Sequence, residues 1–136
     1  MSYDRMASSS YEFEDKVIAA VLGFAVGDAL GFPLRGLPPA GLRLESLVED
    51  FVQRPRGQFQ KGQVSHVTQL LLATAQSAFQ TGQLSGRAVA EHYAWVWEEG
   101  IVLRPPASLA QVLSNLARGV PWMSAGGAVE EPLPST

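Results

Sequence analysis

The sequence contains no cysteine. That absence excludes disulfide frameworks, Cys-ligated zinc and a thiol nucleophile. Charge is sparse as well. Only 17% of the 136 residues are Asp, Glu, Lys or Arg, the net charge is −3, and Lys and Arg form no long basic run. Neutralising a phosphate backbone needs clustered cations, so nucleic acid is not an expected partner. The opening MSYDRMASSSYEFED lacks the basic-then-apolar pattern of a secretory signal. The longest apolar stretch, Val17 to Leu34, is broken by Gly23, Gly27, Asp28, Gly31 and Pro33 and has no flanking anchors, which makes it a poor membrane span. Strand-like alternation of useful length and internal repeats are missing too. The expectation is a cytoplasmic, all-α protein with no membrane partner.

What is present is apolar periodicity. The hydrophobic fraction is 46%, enough for a real core in a chain of this size. The organisation expected is a flexible leader over 1–11, a helical domain over 12–123 and a flexible tail over 124–136. About five helices are expected. The first runs from about Glu12 to Leu30 and is apolar around nearly its whole circumference, the pattern of a helix buried on all sides. Gly31-Phe32-Pro33 ends it, and Gly36–Gly41 is a loop. A short second helix is expected over Leu42–Phe51, then an irregular loop over Gln53–Gln63. The third starts near Ser65 and ends before Thr81-Gly82. The fourth follows Ser85 and stops at Gly100, and the fifth starts at Ser108 and ends at Gly119.

The third helix opens Ser65-His66-Val67-Thr68. Ser65 is a good N-cap, because its hydroxyl can accept an otherwise orphaned backbone N–H. Val67, Leu70, Leu71, Thr74, Ala75 and Ala78 share the apolar face, and His66 begins the polar one. His66 and His92 lack other ligands at metal spacing and are expected at the surface or partly satisfied. Asp28 sits in an apolar helix end, where an unpaired carboxylate is costly. It either bonds a neighbouring segment or lies beside a polar cavity. Trp95, Trp97 and Trp122 are expected in packing roles.

Two segments, in order and separation, resemble the ADP-ribosylglycohydrolase family: KVIAAVLGFAVGDALGFPLRG (Lys16 to Gly36) and GQVSHVTQLLLATAQSAFQTGQLS (Gly62 to Ser85). The first is similar to the family's opening helix with its Gly-Asp-x-x-Gly pattern followed by an acidic residue. The second is similar to its Gly-x-x-Thr-Asp-Asp-Thr helix start. The resemblance covers roughly Asp15 to Gly126, about the first half of the usual domain, and the family's later Asp-x-Asp-Asp-Thr/Ser motif has no counterpart. It implies an orthogonally packed all-α fold with two magnesium ions in a central cleft and release of ADP-ribose from modified side chains.

Residue by residue, the resemblance places Ser65 at the Thr ligand and Thr68 at the following Thr. His66 and Val67 stand at the two Asp ligands, and Arg35 at the acidic position after the glycine motif. Valine donates nothing to a cation and arginine adds positive charge, so the magnesium site is expected to be lost and no cofactor is expected. The residues left as ligand-binding candidates are Asp28, Ser65, His66 and Thr68. Of these only Ser65 and Thr68 keep the hydroxyls of a metal-site pattern. The expected function is an inactive family member acting as a helical binding or interaction module. Its partners would be ADP-ribose, an ADP-ribosylated protein, a second copy or another chain. Two alternatives stand beside it: a hydrolase with an altered metal site, in which His66 takes a softer metal, and an assembly subunit with no ligand site.

Overall fold

The computed structural model describes residues 3–35, 51 and 60–127. Among them every regular element is helical: α1 (Tyr3–Gly31), a 3₁₀ turn (Phe32–Leu34), α2 (His66–Thr81), α3 (Gly86–Glu98) and α4 (Ala107–Ala117). The chain divides into two compact units, Met1–Thr68 and Gln69–Thr136.

In the first unit, α1 begins at Tyr3, so most of the stretch expected to be a flexible leader is helical. No Gly or Pro occurs before Gly23 to interrupt it, and Asp4, Glu12, Glu14 and Asp15 lie in its N-terminal half, the end that the helix dipole favours for negative charge. Its C-terminal end is its buried end: Ala29 is buried, and Phe32 and Pro33 follow in the 3₁₀ turn, where Pro33 cannot continue an α-helix. The Arg35 guanidinium lies 5.9 Å from the centroid of the Phe32 ring, within cation–π range. Burial on all sides is not what α1 has. Val17, Ile18, Leu22, Phe24 and Val26 are 45–60% exposed, and at helical spacing they lie around the helix rather than along one side. By length and composition Glu14–Leu34 also suffices to cross a membrane. That reading differs from the poor span expected from the interrupting residues, although soluble core helices share the property. The helix expected over Leu42–Phe51 lies outside the described residues except for Phe51, which is in no helix. Gln60–Gln63 form a turn closed by Gln63 N–H to Gln60 O, 3.1 Å.

The second unit is built on α3 and α4 with most of α2. Leu70, Ala73, Val96, Val102 and Leu113 form its core, with Tyr93, Trp97 and Leu109 packed against them. Both α3 and α4 stop at the expected glycines. Gly100 N–H donates to Trp97 O and Ile101 N–H to Val96 O; Gly119 and Val120 repeat the pattern with Leu116 and Asn115. Each is a Schellman closure, and the glycine is required because φ is +66° at Gly100 and +82° at Gly119. Trp122 lies against Gly86, where a Cβ would come within 3.0 Å of the indole. Ala125 is buried, and its carbonyl accepts from Asn115 Nδ2 at 2.9 Å; most of the stretch expected as a flexible tail, 128–136, lies outside the described residues. That bond ties the chain back to α4, which the small, flexible-looking AGG sequence does not reveal.

The buried face of α2 differs from the expected one. Burial runs through His66, Leu70, Ala73 and Ser77, while Val67, Leu72, Ala75 and Phe79 are exposed. His66 is 6% exposed and Val67 40%, the reverse of their assignment by hydrophobicity. The buried stripe has the i, i+4, i+7, i+11 spacing of a helix face, and its small Ala73 and Ser77 allow close approach. Packing geometry, not the larger apolar area at Val67 and Leu71, selects the face.

Candidate functional site

The candidate site lies in the first unit, where the end of α1 meets the start of α2. Asp28 Oδ1 accepts from the Ser65 hydroxyl at 2.8 Å. Asp28 Oδ2 accepts from the Ser65 backbone N–H at 2.7 Å and from the Thr68 hydroxyl at 2.7 Å. Ser65 Oγ in turn accepts the Val67 N–H at 3.2 Å, the N-cap bond to the second helical residue. Ser65 and Thr68 are essentially inaccessible, 0% and 1% exposed. Three residues apart at a helix start, they fall on the same side, so one carboxylate collects both hydroxyl protons and a backbone N–H.

Electrostatics follow from this geometry. Burial alone raises the pKa of Asp28. The side-chain hydrogen bonds from Thr68 and Ser65, the Ser65 backbone N–H and the charge of Arg35 together outweigh it and hold the carboxyl below its ordinary value. The ionised form also suits its position beside the N-terminus of α2, where orphan N–H groups present positive partial charge. Asp28 is therefore a charged clamp on the α2 start.

The remaining candidates do not join this cluster. Of the two expectations for His66, at the surface or partly satisfied, the first does not hold: it is buried, and its Nδ1 has no hydrogen-bond partner. Val67 points its apolar side chain to a largely exposed position. His92 is half-buried, its Nδ1 3.2 Å from Ala88 O in its own helix. Sequence reasoning names Asp28, Ser65 and Thr68 separately but does not join them. The available signal is a Ser-x-x-Thr pair able to present two hydroxyls to one carboxylate.

The donors fit magnesium poorly. Mg²⁺ requires hard oxygen ligands near octahedral geometry, usually with carboxylates. Ser65 and Thr68 present neutral hydroxyls whose protons are directed to Asp28. Three of about four acceptor positions on the Asp28 carboxylate are occupied by those bonds and the Ser65 N–H. His66 offers a softer nitrogen, and Val67 offers nothing.

A sequence profile of the ADP-ribosylglycohydrolase family matches residues 9–133. An uncharacterized protein of Archaeoglobus fulgidus is 35% identical over 114 residues, a match covering 83% of this chain and 37% of that relative. The chain thus spans little more than a third of the relative's length. No solved structure matches.

Proposed function

Because the chain belongs to the ADP-ribosylglycohydrolase family, we propose that it is a helical binding or interaction module of that family without magnesium-dependent hydrolysis. The observation that carries this reading is the state of the acidic residue at the site among the described residues, Asp28. Asp28 is held by Ser65 and Thr68, while Arg35, His66 and Val67 occupy the positions that in the family are acidic. Lewis-acid activation of water needs a bound cation with an open position, and these donors do not hold magnesium for it. The ligand class is ADP-ribose or an ADP-ribosylated protein, met in the cytoplasm. Engagement of Asp28 by the polar 65–68 segment supports an aqueous setting, since burying those groups in lipid is costly.

Incubating the purified chain with ADP-ribosylated protein and Mg²⁺ is expected to release no ADP-ribose above a protein-free control, measured by chromatography of the free nucleotide. Release that scales with chain concentration overturns the reading.

One observation favours a second reading. The buried, unpartnered Nδ1 of His66 is a nitrogen able to take a softer metal such as Mn²⁺ or Zn²⁺. In the first reading that atom is only a desolvation cost. His66→Leu is then expected to stabilise the chain by about 1 kcal/mol, since an unsatisfied buried polar group costs roughly 1–3 kcal/mol. Urea unfolding measures this. The second reading instead requires a rise in melting temperature with Mn²⁺ or Zn²⁺ that His66→Ala removes.

A further inference from the structure

We propose that a cleft between α2 and α3, wholly within the second unit, binds a neutral saccharide. The proposal goes beyond the reading of the Asp28 cluster and shares no residue with it.

The cleft has a volume of about 340 Å³ and is lined by Gln76, Gln80, Glu91, His92 and Trp95. That size falls within the roughly 300–1,000 Å³ of small-molecule sites. Helix spacing assembles the lining. Gln76 and Gln80 stand one turn apart on α2, as do Glu91 and Trp95 on α3. Packing fixes the two walls. Ala73 of α2 and Val96 of α3 both belong to the core of this unit. Thr74 Oγ1 donates to Leu70 O at 2.9 Å, which leaves it to accept the Tyr93 hydroxyl, also at 2.9 Å. That bond ties α2 to α3 beside the cleft.

The chemistry of the lining selects the ligand class. Trp95 is 46% exposed, and its ring is an apolar platform for the C–H face of a sugar ring. Gln76, Gln80 and Glu91 are exposed as well, and their side chains are engaged by no other described residue. Each glutamine amide offers donors and an acceptor, and the carboxylate offers acceptors only. His92 Nδ1 lies 3.2 Å from Ala88 O. A carbonyl only accepts, so Nδ1 carries the proton, and in the neutral ring Nε2 is the free acceptor.

The cleft thus presents amide N–H donors and several acceptors beside one aromatic face. A sugar hydroxyl both donates and accepts, and uses both sets. Other ligands match less of the lining. An anion meets the Glu91 carboxylate and no Lys or Arg in the cleft. An ammonium or guanidinium group has no acceptor for the amide N–H groups. An apolar ligand leaves the polar side chains without partners. ADP-ribose carries two phosphates, so Glu91 disfavours it here, which separates this cleft from the ligand class proposed above.

The test uses the full-length chain, nitrogen-labelled for magnetic resonance. Glucose, galactose, mannose, N-acetylglucosamine, maltose, lactose and cellobiose are titrated separately. Saturation transfer from the chain to the sugar protons measures binding, and the indole N–H signal of Trp95, identified by its loss in Trp95→Phe, locates it. At least one saccharide is expected to shift that signal saturably in the millimolar range while the Trp122 signal stays in place. Trp95→Ala and Gln80→Leu, both at exposed helix positions, are each expected to weaken binding at least ten-fold with unchanged helical circular dichroism. Gln80→Leu keeps the test decisive where Trp95→Ala lowers stability. The proposal is overturned if no saccharide of the panel shows transfer, or if transfer is the same in Gln80→Leu as in the native chain. Choline or guanidinium chloride shifting the Trp95 signal at lower concentration than every saccharide, which means a cation site, overturns it too. So does displacement of the bound saccharide by ADP-ribose, which means the cleft takes the ligand already proposed.

Discussion

Replacing Asp28 by alanine is expected to destabilise the first unit by about 3 kcal/mol, from the loss of charge-assisted hydrogen bonds worth roughly 1.5–3 kcal/mol each, partly offset by relaxation and water entry. The reason is asymmetric. The substitution removes one carboxylate but strands three donors, the Ser65 N–H and the hydroxyls of Ser65 and Thr68, at residues that are fully buried. Asp28→Asn keeps the shape and one acceptor oxygen, and is expected to cost less. Its amide N–H₂ requires a facing hydroxyl to turn and accept, or stands donor to donor against the Ser65 N–H.

The pH dependence separates this role from mere packing. The Asp28 pKa is lowered in the folded chain, so its contribution is fully present above the unfolded carboxyl value of about 3.9. It is lost as pH falls through the lower folded value. Thermal unfolding followed by circular dichroism from neutral pH to about pH 2.5 should show that acid loss in the native chain and a smaller one in Asp28→Asn. Equal acid sensitivity in both would show that the clamp contributes no linkage.

The second large effect is expected at Leu113. It is the largest fully buried side chain among the described residues, 0% exposed, and its neighbours in the core of the second unit are Leu70, Ala73, Val96 and Val102. Leu113→Ala is expected to cost about 3 kcal/mol, within the roughly 2–5 kcal/mol typical of such truncations. That corresponds to a fall in melting temperature on the order of 10 °C. Leu109→Ala, one turn earlier and only partly buried, should cost clearly less. A cost at Leu113 no greater than at Leu109 would mean that the core is not built as described.

Much of this organisation is legible in the sequence because it depends on neighbours a few residues away. Ser65 caps α2 through a bond to Val67, and Gly100 and Gly119 stop α3 and α4 because a left-handed residue is needed there. Of the site, the capping hydroxyl of Ser65 is legible in the sequence, while its bond to Asp28, 37 residues away, is not. The N-terminal stretch is less legible, for a physical reason. A polar, Ser-rich run looks loose by composition, yet with no Gly or Pro to break it, it continues a helix already nucleated by the apolar residues that follow. The bond from Asn115 to the Ala125 carbonyl joins residues ten apart and has no signal in the sequence.

By itself, then, the sequence determined the helical class, the positions at which α2, α3 and α4 stop, and family membership. Those properties are local or compositional. Only the tertiary structure decided that His66 and not Val67 turns inward, that Asp28, Ser65 and Thr68 form one cluster, and that Val17, Ile18, Leu22, Phe24 and Val26 of α1 are exposed. Each depends on which surfaces approach one another. A helix offers several faces of comparable hydrophobicity, and the choice among them is made by the shape of what packs against it.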